Sequence, residues 1–596
     1  METEPAPGAY DPESVKARYL AERDRRLVPG RTDIVDLRAD ERYARYTRDP
    51  FTPYTDRASL DEELDVVIVG GGIAGLLAGV ELRKAGIERL RIVDQAGGVG
   101  GTWYWNRYPG IMCDVESTIY LPLLEELGYV PKDRYASGQE ILEHLQRIAD
   151  RYELVGDGLF HTGVERAEWD DRTARWHVHT DRGDHLRPRF YVLAVGILNL
   201  LKIPDVAGLD DFAGHSFHAA RWDYAYTGGA PGEEMTELGD RVVGLVGTGA
   251  TISCWALRSP ARASSSARPS VGGIARASQA LEPVGNAGGQ LQAMLRLPGP
   301  GRDLIDDGWT HHYAAAQHPP RRPDAGSGTC EGRRSTSLRM GRTRLQSLVH
   351  EPTAAQAWPR YLCKRPCFHD EFLSAFNEPN VTLVDCPGGF DRIAPEGPVV
   401  EGTTYPVDLL VLGTGFEPEL TPLHRRAGHE IVGRGGVTLA EKWADGAGTL
   451  FGMMTRGFPN LFVMPAPGQQ AVVTVNYTQL AVLGAEVVGG AVAALEKRGV
   501  RAFEVTEAAE TAWTEEVVRT HVDASSIRSR VHAVAHQQRG PPRASTGAAA
   551  GAGASRLLQV PTSSRRGSAR DLEDSTSGQA TPPGSRREHQ APASRS

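Results

Sequence analysis

The sequence predicts an α/β protein of two doubly wound parallel-sheet units, preceded by an N-terminal arm and followed by a disordered C-terminal tail. Three observations predict it. Strand, glycine turn, helix and strand succeed one another over residues 66–94; a second strand runs into a glycine turn over 241–251; and apolar periodicity disappears in 253–346 and again after 525. Alternation of strand and helix around glycine turns is the pattern of layered α/β folds. A chain of 596 residues also exceeds what one core organises.

Composition narrows the function. With 66 Lys and Arg against 75 Asp and Glu, the net charge of -9 argues against a nucleic-acid partner, which favours a basic face. Six cysteines (113, 254, 330, 363, 367, 386) are too scattered for a disulfide framework. Cys363 and Cys367 lack a second Cys/His pair at ligand spacing, so no metal site is expected. The N-terminus carries no basic start and apolar run, and the apolar stretch Val66–Leu82 is too short and glycine-broken to span a bilayer. A cytoplasmic protein without a membrane partner is expected.

Along the chain, residues 1–60 form an N-terminal extension with a helical stretch over 12–26, expected to pack on a later domain. Residues 61–211 are the first part of the first domain, and 212–240 a linker. Residues 241–400 form the second domain, 401–525 return to the first, and 526–596 are a low-complexity tail. Stretches 253–302 and 311–346 (ARASSSARPSVGG, HPPRRPDAGSGTCEGRRSTS) are Arg/Ser/Ala/Pro-rich like the tail, which predicts disorder.

The first unit carries the strongest signal. An apolar strand, Val66–Val69, enters Gly70-x-Gly72-x-x-Gly75, with Ala74 in the turn of an apolar-faced helix. The first glycine permits a tight turn, the second lets a diphosphate approach the backbone, and the third lets helix and strand pack. The helix N-terminus offers N–H groups to the phosphates. A second strand, RLRIVD, ends at Asp94, placed to accept hydrogen bonds from adenosine ribose hydroxyls, with Gln95 beside it. These parts together predict a Rossmann-like dinucleotide-binding domain. A glycine loop, Gly97-Gly98-Val99-Gly100-Gly101, then leads into Thr102, Trp103, Tyr104 and Trp105, and on through Asn106-Arg107-Tyr108-Pro109-Gly110.

The second unit begins Arg241-Val-Val-Gly-Leu-Val-Gly247-Thr248-Gly249-Ala250-Thr251, the start of a second Rossmann-like domain. Between the two lies Phe212-x-Gly214-x-x-x-His218-x-x-x-Trp222-Asp223. The GGxGGTW-type loop resembles those that wrap the flavin in flavoprotein monooxygenases, and Leu412-Gly413-Thr414-Gly415 resembles the motif that returns the chain to the FAD domain. The FxGxxxHxxxW(P/D) segment fits the fingerprint of type I Baeyer–Villiger monooxygenases. The chain resembles that family over 13–252 and 347–525, and its bulky-ketone members in segments such as RYLCKRPCFHDEF.

The resemblance implies FAD in the first domain and NADPH in the second. It also implies a reaction in which a ketone, O2 and NADPH give a lactone or ester, NADP+ and water, with a polycyclic sesquiterpenoid ketone as substrate. Arg365 matches the catalytic arginine, a fixed cation suited to steadying negative oxygen without protonating it. Asp114 matches the acidic residue that orients that arginine, and also falls among the FAD contacts. Thr102, Trp103, Tyr104, Trp105, Tyr120 and Val164 match FAD-contacting positions. Met112, Cys113, Gly247, Thr248, Gly249, Ala250, Thr251 and Lys364 match NADP-contacting ones, Lys364 at the 2′-phosphate. Glu116 is read as structural, and Gly468 to Val472 as a loop near flavin and substrate.

The pattern is then broken. Ile252 replaces the third small residue of the second turn, and the helix and arginine-bearing strand that follow in the family are missing. Loss and recovery of the pattern around 253–302, 311–346 and 526–596 reads as a shifted reading frame of a GC-rich gene. A chain translated as printed is expected to bind FAD, to hold NADPH poorly and to turn over weakly. Two alternatives remain at this point: a flavin-dependent N- or S-hydroxylating monooxygenase, and a catalytically impaired FAD-binding homologue.

Overall fold

The computed structural model describes residues 33–37, 40–247, 374–378, 380–386, 388–417, 421–464 and 476–520, the backbone of 262–265, and isolated positions 17, 21 and 24. Apart from those three positions, the expected helix over 12–26 lies outside the described residues, as does the tail from 526.

The first domain is an eight-stranded mixed sheet. Its path runs β15 (Glu430–Val432), β4 (Val164–Asp170), β5 (Arg175–Thr180), β6 (His185–Leu193), β1 (Asp61–Val69), β2 (Leu90–Val93) and β3 (Gly158–Leu159), with β16 (Leu461–Val463) also paired to β6. β6, β1, β2 and β3 are mutually parallel, while β4, β5 and β6 form an antiparallel meander. The last four residues of β1 are all buried, as expected of a strand covered on both faces. Helices α1 (Ile73–Lys84), α4 (Gly138–Arg151) and α6 (Tyr477–Lys497) bring Leu76, Val80, Ile141, Leu145, Val488 and Val492 into one core with Ile68. The other face buries Trp169, Trp176 and Tyr191.

Helix α6 is the one described helix long and apolar enough to cross a membrane, and half of its apolar window is buried. It lies against α1 so closely that a Cβ on Gly489 would come within 2.9 Å of the Glu81 carbonyl oxygen.

The second domain is a five-stranded parallel sheet in the order β10 (Val381–Leu383), β9 (Arg262–Ser265), β8 (Val242–Val246), β14 (Leu409–Leu412), β7 (His215–His218). A small antiparallel meander of β11 (Arg392–Ala394), β12 (Gly397–Val400) and β13 (Thr403–Thr404) sits beside it.

The structure divides the chain differently from the sequence reading at three places. The expected linker 212–240 contains β7, an edge strand of the second sheet. The boundary at 400/401 fails because β14 is the fully buried strand between β8 and β7. Residues 262–265, inside a stretch expected to be disordered, form β9. Ladder bonds are made by the backbone, so a strand can persist where side-chain patterning is lost.

The two domains are joined by paired crossings. The outgoing strand bridges the returning one at Leu201 and Phe416, with Lys202 N–H donating to the Gly415 carbonyl (2.9 Å) and Glu417 N–H to that of Leu200 (2.8 Å). The N-terminal arm, expected to pack on one later domain, touches both: Tyr46 Oη meets Ser216 Oγ at 3.0 Å, and Arg57 pairs with the buried Asp184 at 2.6 Å.

Candidate dinucleotide sites

Gly70 has φ +109°, and a Cβ there would stand 2.4 Å from the Ala194 carbonyl oxygen at the end of β6. A Cβ on Gly75 would stand 1.8 Å from the Gly70 carbonyl oxygen. The turn and the helix–strand contact therefore exclude any side chain at either position. Gly72 is the N-cap of α1 and supplies no capping side chain, so the first-turn N–H groups of α1 are left for a ligand. Ala74 is buried in that first turn. The cradle fits a dinucleotide diphosphate.

Asp94 closes the turn from β2. Its Oδ2 accepts Gly71 N–H at 2.6 Å and its Oδ1 accepts Ala96 N–H at 2.8 Å, while burial pushes the carboxyl above its usual range against those two bonds. Backbone contacts were not foreseen for it. Each oxygen keeps a lone pair, so the ribose role remains compatible. Gln95 is exposed beside it, and Val164 is buried at the start of β4.

The second glycine loop lies directly on the first turn. Gly100 N–H donates to the Gly71 carbonyl at 2.9 Å, and a Cβ on Gly101 would meet Gly72 Cα at 2.6 Å. Helix α2 (Thr102–Trp105) starts there, with Thr102 half-buried at its head. Trp103 is buried, and its Nε1 donates to Tyr120 Oη at 2.9 Å; the rings meet edge-on at 5.7 Å. Tyr120 ends α3 (Ser117–Tyr120), which Asn476, the N-cap of α6, holds by donating to the Ile119 carbonyl.

Tyr104 faces elsewhere. Its hydroxyl lies 2.5 Å from Asp49 Oδ2 and 2.6 Å from Thr52 Oγ1, so it donates to the first and accepts from the second. Burial works against ionised Asp49, but hydrogen bonds from Tyr104, Phe51 N–H, Gly97 N–H and His161 hold its carboxyl below the usual range. Tyr104 therefore anchors the N-terminal arm, a role its sequence neighbourhood did not reveal. Trp105 is half-buried beneath the guanidinium of Arg221.

Met112 is exposed and bridges Ser137; Cys113 is buried with its N–H on the Ala136 carbonyl. Asp114 is half-buried in the loop leading to α3. Glu116 is buried and paired with Arg134, which agrees with a structural role.

In the second domain Gly247 repeats the geometry of Gly70. Its φ is +110°, and a Cβ would lie 2.5 Å from the Gly413 carbonyl oxygen at the end of β14. Thr248, Gly249, Ala250, Thr251, Lys364, Arg365 and the 468–472 loop lie outside the described residues.

Four residues of the fingerprint, Gly214, His218, Trp222 and Asp223, have defined structural roles. A Cβ on Gly214 would meet the Asp408 carbonyl oxygen at 2.6 Å. His218 is buried and donates from Nε2 to the Gly415 carbonyl at 3.0 Å; burial, with Arg221 nearby, pulls its pKa down to about 3. Trp222 is buried, with Nε1 on Thr227 Oγ1. Asp223 caps α5 (Tyr224–Thr227) by accepting Tyr226 N–H and also accepts from His215 Nε2 at 2.9 Å. The fingerprint thus binds the outgoing strand to the returning glycine turn.

Residues 68–127 match the model of an NAD(P)-binding Rossmann-like domain. The chain is 43% identical over 540 residues to pentalenolactone D synthase of Streptomyces arenae, covering 85% of this chain and 90% of that protein. It is 41% identical over 532 residues to a Baeyer–Villiger monooxygenase of Streptomyces coelicolor, covering 84% and 86%. The solved structure of a polycyclic ketone monooxygenase from Thermothelomyces thermophila superposes with a TM-score of 0.80 at 32% identity, covering 94% of this chain and 98% of that one. With the cradle at Gly70–Gly75, its counterpart at Gly247 and the fingerprint that ties them, the chain belongs to the Baeyer–Villiger monooxygenases.

Proposed function

We propose that this monooxygenase inserts one atom of O2 beside the carbonyl of a polycyclic sesquiterpenoid ketone. The product is a lactone, the setting pentalenolactone-type antibiotic biosynthesis in the cytoplasm, and the cofactors FAD and NADPH. The observation that carries the substrate class is 43% identity to pentalenolactone D synthase over nine-tenths of that protein's length.

Reduced FAD supplies the oxygen-activating chemistry; the protein supplies position and charge. In the first domain, Gly70, Gly72, Ala74 and Gly75 bring the α1 N-terminus to the FAD diphosphate, and Asp94, with Gln95, takes the adenosine ribose. Thr102, Trp103, Trp105, Tyr120 and Val164 border the flavin, while Tyr104 supports that border from behind. In the second domain, Gly247 to Thr251 receive the NADPH diphosphate, Lys364 its 2′-phosphate, and Met112 and Cys113 its nicotinamide end. Arg365 steadies the negative oxygen formed as the carbonyl is attacked, since a guanidinium keeps its proton at working pH. Asp114 orients Arg365. The break in pattern after Thr251 weakens the hold on NADPH, so turnover is slow.

The deciding experiment supplies cyclic sesquiterpenoid ketones to the FAD-loaded protein at saturating NADPH. Oxygen-dependent NADPH consumption with a lactone 16 Da heavier than the ketone is expected, oxygen having atomic mass about 16. Oxidation of an amine or sulfide with ketones untouched would overturn this reading in favour of an N- or S-hydroxylating enzyme. Bound flavin with no consumption at all would leave an impaired homologue.

A further inference from the structure

Arg221 ends the short turn Ala219–Arg221 that follows β7, between His218 and Trp222 of the fingerprint. Its guanidinium carbon lies 3.5 Å from the centroid of the Trp105 ring, a close cation–π stack across the two domains. One terminal nitrogen donates to the Ala220 carbonyl at 2.9 Å. Nε is sealed from solvent and has no hydrogen-bond partner among the described residues. No described carboxylate comes within ion-pair distance of this side chain.

A guanidinium partly withdrawn from water without an anion beside it is costly. Burial pulls that of Arg221 down to about 9, although Asp49, Tyr104 and Asp94 are near enough to favour its charge. Those neighbours also locate it. Asp94 holds Gly71 N–H, and the loop carrying Trp105 is bonded to the Gly71 carbonyl through Gly100. Arg221 therefore stands beside the turn where the α1 N-terminus takes a phosphate. It comes from the second domain and stacks on Trp105 of the first. The missing counter-charge is that of a dinucleotide diphosphate, and the surroundings of Gly70–Gly75 favour the one bound in the first domain.

We infer that Arg221 is a phosphate-binding residue of the first site, its second terminal nitrogen, which the Ala220 bond leaves free, donating to the FAD diphosphate while Trp105 fixes the plane of the guanidinium. This rests on the reading of the first domain as an FAD site. A residue from the fingerprint thereby senses whether the flavin is in place.

The test follows FAD release by flavin fluorescence as the holoenzyme and its Arg221→Met and Arg221→Lys variants are diluted at low and high salt. A charge-assisted hydrogen bond lost from a partly buried site predicts that Arg221→Met raises the FAD Kd about ten- to hundredfold. Arg221→Lys is expected to raise it less and to keep the salt dependence that Arg221→Met loses. NADP+ affinity of the FAD-loaded proteins, read from difference spectra, is expected to stay unchanged. Methionine matches arginine in reach but not in charge, so FAD retained as tightly as in the wild type would reduce Arg221 to packing and overturn the inference. Loosened NADP+ with FAD intact would overturn it in favour of the second site. A wild-type protein that takes up no FAD would instead sink the reading of the domain. Circular dichroism reports folding, and Arg221→Gln replaces any variant that fails to fold.

Discussion

His218 and Gly415 are joined by a 3.0 Å hydrogen bond from the ring Nε2 to the backbone carbonyl, while the ring Nδ1 accepts Ala220 N–H at 3.1 Å. That pair of bonds assigns a neutral ring with its proton on Nε2. His218→Ala leaves the buried Ala220 N–H without its partner, while the Gly415 carbonyl keeps the Lys202 N–H, and is expected to lower stability by about 1–3 kcal/mol in urea unfolding.

The same ring makes stability depend on pH. Its pKa is about 3 in the fold against 6.5 for the free side chain, so between those values the unfolded chain binds a proton that the folded one refuses. Stability is therefore expected to fall as pH drops below 6.5 towards 3. Thermal unfolding followed across this window is expected to be less pH-dependent in His218→Gln; an unaltered slope would place the effect in other groups.

Gly75→Ala sets a methyl 1.8 Å from the Gly70 carbonyl oxygen, and Gly70→Ala sets one 2.4 Å from the Ala194 oxygen at φ +109°. Backbone lies on the receiving side in both cases, so neither clash relaxes cheaply. Each variant is expected to lose bound FAD, read from the ratio of flavin to protein absorbance, and about 2 kcal/mol or more of stability.

Tyr104→Phe removes the donor to Asp49 and loosens the N-terminal arm. It is expected to cost about 1–2 kcal/mol and to speed proteolysis within residues 40–57 while leaving FAD content near that of the wild type. Loss of flavin without loss of stability would restore the cofactor-contact role for this side chain.

These contrasts show what the linear sequence discloses. Gly70 and Gly75 were readable because their constraint is local: a turn and a helix start admit no Cβ whatever the rest of the chain does. Tyr104 was not, because its partner is Asp49, 55 positions upstream in an arm with no motif. Likewise the strand Leu409–Leu412 reads as buried from its composition, yet composition cannot say which of two sheets receives it. Arg221 was passed over inside its own fingerprint, since its meaning depends on Trp105, which packs against it only after the domains meet.

Asp114→Asn keeps the shape of the loop before α3 but removes the charge proposed to orient Arg365. NADPH oxidation is expected to persist while lactone yield falls at least about a hundredfold, separating hydride delivery from oxygen transfer in a coupled product assay. Equal loss of both would assign Asp114 to NADPH binding instead.

Anaerobic mixing with NADPH probes the interrupted second domain. Slow bleaching of bound flavin with an elevated NADPH requirement is expected for the chain as printed, and resequencing the gene across 253–346 and 526–596 checks the shifted-frame reading. Rapid bleaching at low NADPH would show that the cofactor is held without the family's usual segment.

The bridge between Leu201 and Phe416 has a mechanical consequence. Two crossings laced by hydrogen bonds from Lys202 to Gly415 and from Glu417 to Leu200 cannot slide past each other without breaking the lacing. Two crossings bonded to each other act as one connection where two independent linkers would act as two, so relative motion of the nucleotide domains is expected to be hinge-like about this bridge. The His218 bond to the Gly415 carbonyl adds a third tie at that hinge, next to the glycine turn that ends the returning strand.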